Sequence, residues 1–300
     1  MSTAQIIDMS KLPPPEVVQV LDFEAEFEAL KADMIEAFPA AAETLQLESE
    51  PLTKWLQRLA YQIVQHKAKA NESALAVMLP YSKGTDLDAI GAWFDTPRLV
   101  ITPADPDASP PVDAVMEDDE SFRERIHLAP HGFTVAGPEK AYVYHARKAS
   151  GQVLDAWPHS PIPGKVIVSV LSRTGNGTAS PELLAQVSQS LGADETRPMT
   201  DWVIVQSAEV IEYAVQATIY TLPGPDATTV IAAALAAAQV YTKAMHRIKR
   251  TPTYTGIVGA LQVAGVHKLV LTSPAADVVC DETQAAYCTA INLIPGGTSE

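Results

Sequence analysis

The sequence predicts an α+β protein, with an N-terminal helical bundle segment followed by mixed α/β modules. Three observations point there. Residues 16–79 carry apolar side chains at spacings of three and four, interrupted at a few prolines. Prolines then crowd between Arg98 and Ala114. From about Gly137, short β-branched runs alternate with helical ones. The expected divisions are a helical region over 1–95, a proline-rich linker with a short acidic helix over 96–132, and an α/β region over 133–300.

The first element is an extended lead. Pro13, Pro14 and Pro15 stop a helix from starting early, so the first helix is expected over Glu16 to Phe38, ended by Pro39. Its stripe is Val20, Phe23, Phe27, Leu30, Met34 and Ala37, the alternation of threes and fours that packs one helix lengthwise on another. A second helix is expected from Pro51, capped by Ser49 or Glu50, to just before Pro80. At about 28 residues it would reach roughly 42 Å. Leu52, Leu56, Leu59 and Ile63 form its stripe, Trp55 widens it, and Ala60, Ala70 and Ala74 place small residues beside the bulky ones. Spacing alone leaves two arrangements open: a hairpin closed within one chain, or a bundle shared between chains.

Beyond Pro80, Thr85 or Asp86 suits the cap of a short helix that turns Leu87, Ile90 and Trp93 or Phe94 inward. Asp86 and Asp88, two apart, point to different faces and cannot share a proton or a metal. Arg98 to Ala114 has no helical period between Pro103 and Pro111 and reads as a linker or a clamp-like loop. Glu117, Asp118, Asp119 and Glu120 then open a helix, where carboxylates suit the positive end of the dipole. The run lacks the alternating oxygens and central glycine of a calcium loop. His127 and His131 have ligand spacing, but Pro130 and Gly132 break the helix between and after them, and no HExxH glutamate accompanies them.

The α/β region begins with a helix over AYVYHARKA, followed by strands over VLDAW and KVIVSVLS. Gly175, Asn176 and Gly177 make a turn, Ser180 caps, Pro181 starts a helix to Leu191, and no GxxxxGK[ST] or GxGxxG makes this a phosphate loop. Strands follow over DWVIVQ and VIEYAVQATIY. Leu222 to Pro225 then turns the chain into an Ala-rich helix over Thr228 to about Arg247, with a further helix and strands to the end. The stretches from Lys148 and from Leu261 share a helix end, Gly151 or Gly265, an apolar strand and a final Ser-Pro, which points to two copies of a helix–strand–strand module.

Composition narrows the function classes. Hydrophobic residues make up 47% of the 300, enough for a sizeable core. With 21 Lys+Arg against 36 Asp+Glu, the net charge of −15 repels a phosphate backbone. The basic patch Lys243 to Arg250 falls at an expected helix end, where cations suit the dipole. No apolar run reaches the roughly 20 residues that span a bilayer, and Met1 to Pro15 lacks the basic start and apolar core of a signal peptide. Neither nucleic acid nor a membrane is expected as a partner. Cys280 and Cys288 fit free thiols made in a cytoplasm.

Several stretches together resemble the baseplate J family of contractile phage tails and R-type phage-tail-like bacteriocins. They are Leu12 to Asp22, Leu47 to Pro51, Asn71 to Leu79, Gly84 to Gly91, Arg98 to Ala104 and SVLSRTGNG from Ser169, in that order. The resemblance implies a structural wedge subunit, two copies of which join one smaller wedge protein through an N-terminal bundle. It implies six wedges around a central hub and spike with sheath-initiator proteins, neighbouring wedges joined into a ring through their C-terminal regions, and contraction linked to opening. Assembly would take place in the bacterial cytoplasm, and the product would be the baseplate of a phage virion or a bacteriocin particle. The bundle role would fall on Val20, Phe23, Phe27, Leu30 and Met34, and on Leu52, Trp55, Leu56, Leu59 and Ile63.

No nucleophile with its base, metal set or cofactor loop appears with usable spacing, so neither an enzyme nor a cofactor is expected. The alternative from a different class is a soluble ligand-binding α/β module with a cleft in the C-terminal region.

Overall fold

The computed structural model describes residues 9, 12–13, 15–133, 137–193, 196, 200–224 and 226–298. Pro14 and Pro225 lie outside them. The chain forms two compact units, Met1–Pro97 and Arg98–Glu300. The architecture is α+β, with N-terminal helices followed by α/β modules built on small mixed sheets.

The first unit is helical. Helix α1 spans Phe23–Ala37, α2 spans Pro51–Ala76 and α3 spans Gly84–Trp93. Helix α2 starts with Pro51 in its first turn after Glu50, as expected. Helix α1 starts seven residues later than the expected Glu16, and two local facts explain the delay. The Asp22 side chain accepts from Ala25 N–H at 3.1 Å and so marks the N-cap. Ahead of it, buried Asn71 of α2 clamps the extended chain from both sides: its Oδ1 accepts from Gln19 N–H at 2.9 Å and its Nδ2 donates to Gln19 C=O at 2.8 Å. Those backbone groups are therefore satisfied without helix. Tyr81 Oη extends the same fastening by donating to Pro13 C=O at 2.6 Å.

Short 3-10 turns at Pro39–Ala41 and Thr44–Gln46 reverse the chain, so α1 runs antiparallel to α2. Phe27, Leu45, Leu56 and Ala60 form the core of the pair, with Phe23, Leu30, Met34 and Leu52 packed around it. Lys67 closes the far end in an ion pair with Glu26. In α3, Leu87 is fully buried, whereas Trp93 is 88% exposed and Phe94 is the half-buried member of that pair.

Asn71→Ala is expected to cost about 1–3 kcal/mol, because it removes two hydrogen bonds to the Gln19 backbone worth roughly 0.5–1.5 kcal/mol each. Urea unfolding followed by helical circular dichroism would show it. An unchanged midpoint would mean that water replaces the clamp.

The second unit opens with strands β1 (Val100–Thr102) and β2 (Val115–Met116), an antiparallel pair. The proline-rich stretch between them is a hairpin tip: Asp105 and Val112 exchange both backbone hydrogen bonds, at 2.9 and 3.0 Å. Helix α4 (Asp119–Leu128) follows and tightens into a 3-10 turn over Ala129–Phe133, so Pro130 separates His127 from His131 as expected.

The first α/β module contains α5 (Glu139–Ala149), β3 (Val153–Ile162), β4 (Lys165–Ser172), α6 (Pro181–Gly192) and β5 (Trp202–Ser207). Strand β4 is central, antiparallel to β3 and parallel to β5, which it reaches through α6. Ser180 Oγ accepts from Leu183 N–H at 3.3 Å and caps α6. The second module contains β6 (Glu209–Thr221), α7 (Ala227–Met245), α8 (Tyr254–Leu261), β7 (Val266–Ser273) and β8 (Gln284–Thr298). Here β6 is central, antiparallel to β7 and parallel to β8. Its Tyr213, Val215, Ala217 and Ile219 alternate into the core beneath α7 and α8.

The matched stretches thus occupy corresponding places, a helix followed by an outer strand antiparallel to the centre. The strand after it differs. Strand β4 becomes the centre of its sheet, whereas β8 lies on the far side of a centre already made by β6. The shared glycines also serve different ends. A Cβ on Gly151 would lie 2.4 Å from Val100 O, whereas Gly265 is needed for its φ of +93°.

Candidate assembly faces and a buried ion network

The sequence-derived stripe on α2 divides into two faces. One, centred on Leu56 and Ala60 and continued by Asn71, is covered by α1 of the same chain. The other carries Trp55 and Leu59, four residues apart and so one above the other, with Leu52 at the edge where the two faces meet. Leu52 is half-buried, Leu59 is 42% exposed and Trp55 is 73% exposed. Ile63 is half-buried. Pro51, Lys54, Trp55 and Arg58 line a depression of about 310 Å³ at this end. Phe23, Phe27, Leu30 and Met34 of α1 point into the intrachain core. Val20 precedes the helix and is 80% exposed. The hairpin within one chain therefore exists, and it leaves a bulky apolar flank open on its long helix.

The second unit contains a network that periodicity did not reveal. Arg125 of α4 is fully buried and Glu117 is 3% exposed; the guanidinium Nη2 donates to Glu117 Oε2 at 2.6 Å and Nε approaches both carboxylate oxygens at 3.2–3.3 Å. Leu99 N–H donates to Glu117 Oε2 at 3.3 Å, and Arg98 donates to Glu117 C=O at 2.7 Å while pairing with Asp119 at 2.7 Å. Arg173, just after β4, approaches Glu117 at 4.0 Å and Asp118 at 3.6 Å and donates to Gly151 C=O at 2.9 Å. Arg147 of α5 binds Glu124 at 3.0 Å and Ser121 C=O at 3.2 Å. The hairpin and α4 are thereby fastened to the first α/β module. Desolvation pushes the Asp118 carboxyl up, but hydrogen bonds from Ser121 and the charge of Arg173 outweigh it and hold the group below its ordinary value.

A second joint fastens the two modules. Asp155 of β3 accepts from Ile248 N–H at 3.1 Å, and Leu171, Ala208, Ile248 and Ala285 pack around the contact. Burial pushes the Asp155 carboxyl up, with Arg247 and Arg147 opposing. His246 Nδ1 lies 2.8 Å from Ala286 C=O. The basic patch is used locally: Lys249 pairs with Glu282 at 2.6 Å and stands over Trp157.

Full-length comparison settles the kinship. The chain is 46% identical over 300 residues to Baseplate protein J of Escherichia phage P2, covering 98% of this chain and 99% of that one. It belongs to the baseplate J family. Three models of baseplate J-like domains match: the N-terminal domain over residues 48–105, the central domain over 134–207 and the C-terminal domain over 213–294. Among solved structures, a chain of the cryo-EM structure of the anti-feeding prophage baseplate, 6-fold symmetrised, aligns over 61% of this chain and 44% of its own. That alignment has 15% identity and a TM-score of 0.40.

On this baseplate J chain the central and C-terminal spans coincide with the two sheet modules. Glu117 and Arg125 fall between the N-terminal and central spans. The one signal available for them was an acidic residue eight positions before an arginine, a separation that helical spacing rules do not flag.

Chemically, the network is made of paired, hydrogen-bonded charges. Among the described residues, no group of three His, Cys, Asp or Glu is placed to hold a metal. Burial pushes the thiols of Cys280 and Cys288 up, away from the reactive thiolate. A depression of about 370 Å³ between α7 and β8 is lined by Leu235, Gln239, Thr242 and residues 288–291, with Cys288 its one ionisable group.

Three histidines impose a pH dependence. Desolvation comes first among the causes that lower His127, His145 and His246 below 6.5. The unfolded chain therefore binds more protons in the window just below pH 6.5, and stability falls as pH drops through it. Each histidine adds a slope of at most about 1.4 kcal/mol per pH unit. Urea midpoints at pH 7.5 and 5.5 would show the loss, and His246→Gln would reduce it. Because the raised Asp155 carboxyl acts in the opposite sense, the decisive comparison is the variant: a His246→Gln chain with the same pH dependence as the wild type would contradict the desolvation of that ring.

Proposed function

We propose that this chain is a structural, non-enzymatic wedge subunit of the baseplate of a contractile phage tail or R-type bacteriocin. Two copies assemble with one smaller wedge protein, and six such wedges surround the central hub and spike beside sheath-initiator proteins. Neighbouring wedges join through the α/β unit, and the ring links contraction to opening. Assembly takes place in the bacterial cytoplasm. The observation that carries this reading is the full-length likeness to Baseplate protein J of Escherichia phage P2. The open flank of α2 supports the bundle contact, because an exposed tryptophan and leucine on one helical face are the kind of surface that a partner helix covers.

The test is light scattering after size-exclusion chromatography, on the chain alone and with the smaller wedge protein encoded beside it. The expected product is a 2:1 complex with more helix than its separate parts. A monomer indifferent to that protein would overturn the reading and favour a ligand-binding module.

A further inference from the structure

We propose that the outer face of α1 in one copy docks on the open flank of α2 in a second copy, a contact between unlike faces. The proposal rests on the two-copy reading above and specifies how the copies meet. Ala25, Ala29 and Ala32 are exposed and lie four and three residues apart, giving α1 a flat outer face of small side chains. Exposed Glu24, Asp33 and Glu36 border it, beside Glu28, which is paired with Lys31 at 2.7 Å. The flank of α2 is the opposite in shape and charge: Trp55 and Leu59 project from it, and exposed Lys54 and Arg58 border it. A bulky, basic face and a flat, acidic one allow close helix approach and opposite charges together.

The charges also select against the symmetric alternatives. Two α1 outer faces would bring Glu24, Asp33 and Glu36 against one another, and two α2 flanks would oppose Lys54 and Arg58 to their own copies. Only the unlike pairing is attractive. Such a contact can form twice in a two-fold pair, each copy's α1 on the other's flank, or once, leaving one face of each kind open.

Two full-length variants test it, each checked for wild-type helicity: Lys54→Glu/Arg58→Glu and Glu24→Lys/Glu36→Lys. With the smaller wedge protein, each variant alone is expected to lose two-copy assembly, with association weakened about tenfold or more. Their equimolar mixture is expected to recover it, because the reversed α1 of one then faces the reversed flank of the other. Wild-type association should also weaken about tenfold between roughly 50 and 500 mM salt, a readout that needs no variant. Folded variants that assemble normally, a mixture that fails to recover, or salt-indifferent association would overturn the docking and leave the two-copy reading standing. A wild-type chain that never forms a two-copy complex would overturn both.

Discussion

Glu117→Gln is expected to lower the stability of the α/β unit by roughly 3–5 kcal/mol, the largest single-site loss in that unit. Glutamine keeps the size of the side chain and removes only its charge. Arg125, fully buried, then loses the Glu117 carboxylate that balances its charge, and Arg173 loses one of its two acidic neighbours. The desolvation cost of the guanidinium is already present in the folded state, so the loss exceeds the net worth of the pair. Replacing both partners, as Glu117→Leu with Arg125→Met, should recover most of it by removing the buried charges together. Glu120→Gln is the matched control. Glu120 is exposed where it pairs with Arg123, and its loss should cost less than about 1 kcal/mol. Urea unfolding of the three variants would show the order, and a Glu117→Gln midpoint near that of Glu120→Gln would contradict it.

The second large effect separates folding from assembly on the long helix. Phe27→Asp is expected to unfold the helical pair, costing more than the roughly 3–5 kcal/mol of a Phe→Ala truncation because it also buries a charge among Leu45, Leu56 and Ala60. Helical circular dichroism should fall before any partner is added. Trp55→Glu, at a side chain 73% exposed, should leave that signal within about 0.5 kcal/mol of the wild-type stability. It should nevertheless abolish two-copy assembly in the presence of the smaller wedge protein. If Trp55→Glu assembles at wild-type yield, the flank is not the docking surface. If Phe27→Asp stays folded, the core of the pair is misplaced.

These contrasts mark where the sequence was legible. Local chemistry settled the starts of α2 and α6, since Pro51 and Ser180–Pro181 act on the backbone within one turn. It also located the strands from β3 to β6 and placed the Ala-rich helix, expected over Thr228 to Arg247, at Ala227–Met245. The family resemblance rested on the order of short motifs along the chain, which needs no coordinates.

Tertiary structure decided what depends on distant neighbours. Residues 16–22 have an apolar pattern compatible with helix, yet 16–18 make only a turn and Asn71, 52 positions from Gln19, fastens the stretch that follows outside any helix. Trp55, Leu56 and Leu59 share one periodic stripe, but α1 is narrower than the stripe and covers only part of it, leaving Trp55 outside. Glu117 reads as one acid among four at a helix start. Its burial against Arg125 arises because β2 and α4 meet across a short turn and the first α/β module closes over them. Periodicity records which residues share a face; which neighbour covers that face, and which charges are desolvated in the process, follows from how the elements pack.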